Sequence, residues 1–436
     1  MMLDFTHDPT ARSWVASAND PTTHFPLQNL PWGVADGRVV VAIGAHILDV
    51  RGALEAQLLP SIDCQIQQAL RASRLNELLA LGREPLRQLR HALFRMLQAG
   101  SPAESELKRH LKDQAEAALQ LPVTVGDYTD FFTCFNHAYN CGTIFRREQP
   151  VSRNFRSMPI AYHGRASSVV VSGTSVVRPH GQFRDPGDAQ TIRFGPSQRL
   201  DFELELGAII GRGNSLGTPI HVDQAEEHIA GLCLLNDWSA RDIQSWEAQP
   251  LGPFQAKNFM SSISPWIVTL DALEPYRVPA MPRRADDPPL QAYLAGRTPS
   301  GPTTFALHTE ARLFTADMRR RGASPALLSQ ALFSRDGDWT FSQMVAHHTI
   351  NGCNLSPGDL LGSGTISGPQ RGEEGCLLEL TRDGTEPVHL GSNECRAFLE
   401  EGDQVHLSAW CAREGYPIIG LGVCVGEVQP AIKLEL

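Results

Sequence analysis

In Leu200-Asp-Phe-Glu-Leu-Glu-Leu206, acidic and apolar residues alternate. A strand sends alternate side chains to one face, about 6.6 Å apart, so Asp201, Glu203 and Glu205 would share a side. Like charges in a row repel unless water or a cation lies between them. A solvated outer face is one reading of this pattern; a cation bridge is the other. Two more carboxylates bear on the choice. Asp237 follows the apolar run Gly231 to Leu235, and Asp130 lies in Asp127-Tyr-Thr-Asp-Phe131. Oxygen donors gathered from separate segments suit a hard cation such as Mg2+ or Ca2+.

Two further patterns carry chemistry. If Asp237 to Ala248 is helical, Asp237, Arg241, Gln244 and Ala248 share one stripe, which is either a polar pocket lining or a surface ion pair. His137, in Phe132-Thr-Cys-Phe-Asn-His-Ala-Tyr139, lies close in sequence to Asp130. The pair His347-His348 makes a poor joint ligand set, because adjacent side chains diverge on either a helix or a strand. The H-E-x-x-H and G-x-S-x-G motifs are absent, against zinc-protease and α/β-hydrolase chemistry. Gly211 to Gly217 lacks the spacing of a nucleotide loop.

The elements that must position these residues fall into two units. Residues 1–122 combine a strand, Gly turn and strand over Arg38 to Asp49 with helical text. Leu86, Leu89, Leu93, Phe94, Met96 and Leu97 form an apolar helical stripe. Ser101-Pro-Ala-Glu104 reads as a capped start of another helix, continued by Leu107, Leu111, Ala115 and Leu119. From residue 123 to 436 short β-branched runs dominate: Ser168 to Ser172, Leu200 to Ile210, Gly231 to Leu235, Ile263 to Leu270, Cys376 to Leu380 and Val405 to Trp410. Pro279 to Pro302 reads as an exposed excursion. The fold class is mostly β (α+β).

Composition removes several functions. Against 38 Lys and Arg stand 48 Asp and Glu, a net charge of -10, which argues against nucleic acid as a partner. No run of eighteen apolar residues predicts a membrane span, and the first twenty residues do not read as a signal peptide. The nine cysteines form no C-x-x-C pair, which predicts reduced thiols and a cytoplasmic setting.

Taken together, several segments resemble the fumarylacetoacetate hydrolase family. They are Asn29-Leu-Pro-Trp-Gly-Val34, Asp127 to Phe131, His137-Ala138, Tyr162-His-Gly-Arg-Ala-Ser-Ser168 and Leu200 to Glu205. Asn236-Asp-Trp-Ser-Ala-Arg-Asp-Ile-Gln244, Pro250-Leu-Gly-Pro-Phe254, Ser264-Pro-Trp266 and Ser363-Gly-Thr-Ile-Ser-Gly368 complete the set, in the family's order. The resemblance spans nearly the whole chain. It implies an N-terminal SH3-like barrel with helices, a C-terminal mixed β-roll or β-sandwich catalytic domain, and a homodimer. It also implies hydrolysis of a carbon–carbon bond in a small 1,3-diketo acid, with 4-fumarylacetoacetate of tyrosine and phenylalanine catabolism as the family's namesake substrate.

By motif, the resemblance assigns Asp130, Glu203, Glu205 and Asp237 to a divalent cation, Mg2+ or Ca2+. His137 becomes the base and Glu379 its orienting carboxylate. Arg241, Gln244 and Lys257 become charge-stabilising donors. Phe132, Arg146, Tyr162, Gln244, Ala248 and Thr365 face substrate, and Asp237, Lys257 and Ser261 frame a second ion. Asp201 shares the acidic alternation without such an assignment. Phe132 and Ala248 stand where the family usually carries tyrosine, so the preferred acyl end is expected to differ or to bind less tightly. Related expectations are acylpyruvate hydrolysis, oxaloacetate decarboxylation and isomerisation. A non-catalytic metal- or acid-binding homologue is disfavoured by the presence of both His137 and Glu379. An iron dioxygenase is disfavoured by the lack of a histidine–carboxylate facial triad spacing.

Overall fold

The computed structural model describes residues 3–435 except 60–61, 186, 298–302 and 392–393. The chain is α+β, with its catalytic candidates on a β-rich half. Near the N-terminus, strands Trp32–Ala35, Arg38–Ile43 and His46–Asp49 form a meander. Leu111–Asp113 and Leu119–Gln120 add to its edges, giving a five-stranded antiparallel half-barrel sheet. Asp36 and Gly37 both have positive φ, as a two-residue hairpin turn needs. The helix Arg83–Leu97 buries the predicted stripe, including Leu86, Leu89, Leu93 and Phe94.

The helix expected after Ser101 is reduced to Glu104–Leu107, with Ala103 and no side-chain cap at its start. Leu111 and Leu119 lie instead on the edge strands, where Leu48 pairs with Leu111 and Ala35 with Leu119. Backbone pairing to a preformed sheet overrides the local helical period.

Two large sheets dominate the remainder, with several two-stranded pairings beside them. The larger runs Ile160–Gly164, Tyr128–Phe132, Leu360–Gly362, Leu204–Ile210, Ile229–Asp237, Ser261–Ile263, Val169–Val171, with Val268–Thr269 also on Ile229–Asp237. It is mixed: Tyr128–Phe132 is parallel to Leu360–Gly362, and Val169–Val171 to Ser261–Ile263. The second runs Ala326–Leu332, Leu307–Phe314, Gln404–Cys411, Ile419–Gln429, Val176–Val177. One hydrophobic core joins the two, with Leu206, Leu232 and Leu234 against Leu307, Leu407 and Leu421. The opposite face of the larger sheet packs on the N-terminal unit, where Ile209, Leu235 and Leu360 share a core with Val34, Val41 and Leu93. Covered on both faces, Ile229–Asp237 is buried at every residue, so it reads as a continuous apolar run.

Four other expectations change. The Leu200 to Ile210 run breaks at Phe202-Glu203: Leu200–Asp201 pairs with Ser239–Ala240, and a new strand begins at Leu204. Asp237 ends a strand and the helix starts only at Arg241, so the four-residue stripe does not form. Cys376 to Leu380 holds a helical turn, Leu377–Leu380, because the Asp201 carboxylate accepts from the backbone N–H groups of Leu377 (2.7 Å) and Leu378 (2.9 Å). Ile263 to Leu270 divides into two strand ends and a helix capped by Thr269. Part of the Pro279 to Pro302 excursion, residues 298–302, lies outside the described residues; the rest is largely exposed, though Leu294 is buried. All nine cysteines are free thiols, and among the described residues no helix is long and apolar enough to cross a membrane.

Candidate metal centre and acid–base pair

Neighbouring strands of the larger sheet deliver three of the acids, and the break at Phe202-Glu203 delivers the fourth. Asp130 sits opposite Tyr162 on one side and Gly362 on the other. Gly362 lies between the Asp130 strand and the strand that carries Glu205; Asp237 ends the next strand, opposite Ser261. Asp130, Glu203, Glu205 and Asp237 thereby present ligand oxygens within 4.8 Å of one another, all buried. Gly362 keeps the space open: a Cβ there would fall 2.6 Å from Asp130 Oδ1 and 3.2 Å from Glu205 Oε2.

The cluster is electrostatically incomplete. Burial, reinforced by Asp237, pushes the Asp130 carboxyl well above its ordinary range; burial and Asp130 do the same to Glu205. Asp130 Oδ1 and Glu205 Oε1 are buried without a hydrogen-bond partner. Glu203 differs. Burial opposes its charge, but Lys257 and Arg241 outweigh that and hold it below its ordinary value. Lys257 Nζ donates to Glu203 Oε2 and, at 2.9 Å, to Asp237 Oδ2. Asp237 also accepts from Ser261 Oγ (2.7 Å) and Tyr162 OH (2.6 Å). With Asp201 counted, five carboxylates face two fixed cations, Lys257 and Arg241. Unpartnered oxygens, an all-oxygen donor set and the room left by Gly362 fit a hard divalent cation.

His137 and Glu379 meet beside this cluster. His137 lies in the first turn of helix Phe135–Phe145, and its Nδ1 is 2.7 Å from Glu379 Oε2. Glu379 is 0% exposed. Its Oε1 accepts from Asn140 Nδ2 (2.9 Å), and its Oε2 also from Ser367 Oγ (2.8 Å) and Cys376 Sγ (3.1 Å). Burial disfavours the imidazolium, but the Cys141 sulfur and Glu379 outweigh it and raise His137 well above 6.5. Burial also opposes the Glu379 charge, and His137 reverses this, so the carboxyl lies below its ordinary value. The charge of His137 reaches Glu203. Among the described residues, Nε2 has no oxygen or nitrogen partner; Cys141 Sγ lies 3.7 Å away.

Through Asp201, Arg241 links the cluster to the helical turn that carries Glu379. Its Nε donates to Asp201 Oδ2 (2.8 Å), and its Nη1 to Glu203 Oε1 (2.8 Å) and Gln244 Oε1 (3.0 Å). Its Nη2 and Thr365 Oγ1 are buried without partners, two polar groups left for a ligand. A cavity of about 200 Å3 also reaches the cluster, lined by Tyr128, Tyr162, Arg165, Asp237, Phe254 and Lys257 among others.

The predicted residues do not all converge. Phe132 packs edge-on to the His137 ring at 5.0 Å. Ala248 caps the end of helix Arg241–Glu247 and is half-buried. Arg146 is exposed at the end of the His137 helix, in an open groove of about 720 Å3 with Arg147 and Arg153. Sequence reasoning missed the roles of Asp201, Gly362, Asn140, Ser367 and Cys376. Asn140 had a signal, three residues after His137 on a helix; the neighbours of Gly362 come only from distant segments.

Fold and site together define an α+β class with a buried acidic cluster, suited to a divalent cation, beside a histidine–carboxylate pair. Comparisons with known proteins narrow this. The family models for the fumarylacetoacetase N-terminal region and the fumarylacetoacetate hydrolase C-terminal region match residues 28–122 and 128–429. Fumarylacetoacetase of Oryza sativa subsp. japonica is 44% identical over 435 residues, 97% of this chain and 98% of that protein. The Homo sapiens fumarylacetoacetase is 41% identical over 431 residues, covering 96% and 99%. Among solved structures, a fumarylacetoacetate hydrolase from the psychrophilic Exiguobacterium antarcticum shares the fold, at TM-score 0.51 and 17% identity, covering 92% of this chain and 99% of that one. The chain belongs to the fumarylacetoacetate hydrolase family.

Proposed function

We propose that this protein hydrolyses the carbon–carbon bond of a 1,3-diketo acid, with 4-fumarylacetoacetate, giving fumarate and acetoacetate, as its leading substrate. Full-length identity to fumarylacetoacetases supports the reaction. The observation that carries it in this chain is the His137–Glu379 pair set against four buried carboxylates.

Breaking such a bond with water needs a base, a place for the oxyanion and a stabilised enolate leaving group. Asp130, Glu203, Glu205 and Asp237 would hold a divalent cation, Mg2+ or Ca2+, which when bound would supply positive charge for the leaving group. His137, with Nδ1 engaged by Glu379, takes a proton from water at Nε2, and Glu379 stabilises the imidazolium that results. Arg241 Nη2, Gln244 and Lys257 provide donors for the oxyanion, and removing one such donor typically costs about 10²–10³-fold in rate. Tyr162 and Thr365 contact substrate. Arg146 reaches it only if its exposed loop folds inward. Lys257 and Ser261 both donate to Asp237, where the family resemblance implies a second ion, and no step is assigned to that ion.

Phe132 and Ala248 favour a second reading of substrate choice. Neither offers a hydroxyl, and a buried substrate oxygen that loses its donor costs about 1–3 kcal/mol. The acyl end is therefore altered or fumarylacetoacetate binds less tightly, which keeps acylpyruvates as candidates. Residues 1–122 form the supporting unit and 123–436 the catalytic one. Nine reduced thiols suit a cytoplasmic protein, and a homodimer is the assembly the family resemblance implies.

The test follows diketone ultraviolet absorbance with fumarylacetoacetate and a panel of acylpyruvates, with added Mg2+ or Ca2+ and after chelation. Turnover that needs the cation and His137 supports the proposal. No turnover of any diketo acid, or equal rates for His137→Ala and wild type, would sink it. Ordinary efficiency on fumarylacetoacetate with rejection of all other diketo acids would remove the second reading.

A further inference from the structure

Five buried polar atoms around the site lack a partner: Asp130 Oδ1, Glu205 Oε1, Arg241 Nη2, Thr365 Oγ1 and Tyr128 OH. A cation accounts for the first two, and substrate for the next two. The Tyr128 hydroxyl is used by neither.

Tyr128 stands two residues before Asp130, so both side chains leave the same face of one strand. The residue is only 2% exposed. Its ring is held in place. Gly164, directly opposite on the neighbouring strand, leaves it room; a Cβ there would lie 2.1 Å from Tyr128 Cδ1. The side chain forms a wall of the 200 Å3 cavity together with Tyr162, Asp237, Lys257, Asn258 and Ser261. That space has room for several waters at about 30 Å3 each. The hydroxyls of Tyr162 and Ser261 are spent on Asp237. Tyr128 lines the same cavity, and its buried hydroxyl has nothing to donate to. A buried group of this kind is destabilising unless something other than protein atoms completes it.

We propose that Tyr128 is a positioning residue of the cation site, whose hydroxyl would donate to a water that accompanies the bound cation. The inference rests on the cation reading above. Mg2+ releases its waters reluctantly and demands strict geometry, whereas Ca2+ accepts more direct oxygen ligands. Loss of the hydroxyl should therefore weaken Mg2+ more than Ca2+.

The variant Tyr128→Phe keeps the ring against Gly164 and removes only the hydroxyl. Metal-stripped full-length protein would be titrated calorimetrically with MgCl2 and CaCl2, and melted without metal. Expected is a rise of about tenfold or more in the Mg2+ dissociation constant, the usual size of an outer-shell loss. The Ca2+ change should be smaller, and the metal-free melting temperature unchanged or higher, because an unsatisfied hydroxyl has gone. A purely structural tyrosine predicts the reverse: a lower metal-free melting temperature. Unchanged Mg2+ affinity overturns the inference alone, including the case in which only KM for substrate moves. A fall in metal-free melting temperature also overturns it. Wild type that binds neither ion overturns the cation assignment as well.

Discussion

Glu379 accepts from Asn140, Ser367 and Cys376 while it holds His137. A few residues away in space, Asp130 and Glu205 are as deeply buried, yet each keeps an oxygen with no partner. The first group is complete within the chain: opposite charges meet and every carboxylate oxygen is occupied. The second sets like charges against one another, and its two cations do not balance its acids. The contrast teaches which component the protein supplies itself and which it leaves for a ligand. On the proposed reading, the base is preorganised and the acidic half is the part a cation would complete.

The largest test of this contrast is removal of the base. His137→Ala should lower kcat by about 10²–10⁴-fold, measured under saturating cation, while leaving cation affinity nearly unchanged. If cation affinity collapses with it, the two regions are not separable. Glu379→Gln comes next, with a fall in maximal rate on the order of 10²-fold. Glu379 raises His137, and the reaction needs the neutral ring, so the rate climbs as pH rises through the His137 value. Without the carboxylate that value drops, and the acidic limb of the kcat profile should move to lower pH. A limb that stays in place would mean another group titrates.

Cation loading tests the other region. A divalent cation at a hundred times its dissociation constant should contribute about 2.7 kcal/mol of stability, seen as a melting temperature several degrees above the chelated protein. The gap should also depend on pH. Asp130 and Glu205 are held above their ordinary values in the metal-free fold, so the fold binds more protons there than the unfolded chain. Their contribution is present at low pH and lost as pH rises through the raised values. The gap between loaded and chelated protein should widen with pH, and a constant gap from pH 5 to 8 would contradict the frustrated-cluster account. The smallest effect is expected from Gly362→Ala. Its methyl would crowd Asp130 Oδ1, and cation affinity should fall about tenfold, with little change in the pH limb set by His137.

Much of the site was legible because its chemistry is local. The alternation around Glu203 and Glu205, the nearby Asp130 and His137, and Asp237 after an apolar run are visible as residue types at short spacing. So is the helix Arg83–Leu97, where an apolar period of 3.6 agrees with the packing. Misreadings arose where distant pairing decided the outcome. Leu111 and Leu119 follow a helical stripe but complete a sheet. The Cys376 to Leu380 run looks like a strand and turns helical because Asp201, far away in sequence, caps its amides.

By itself the sequence determined the donors: which oxygens and nitrogens were available, and the apolar runs that would carry them inward. Only the tertiary structure decided which donors meet. Asp201 shows the difference most directly. Local alternation places it with Glu203 and Glu205, but the strand breaks at Phe202-Glu203 and sends it to Arg241 and to the start of a helical turn. A strand's period is a property of adjacent residues; where that strand ends depends on which partner strand competes for its backbone, and that partner lies tens to hundreds of residues away.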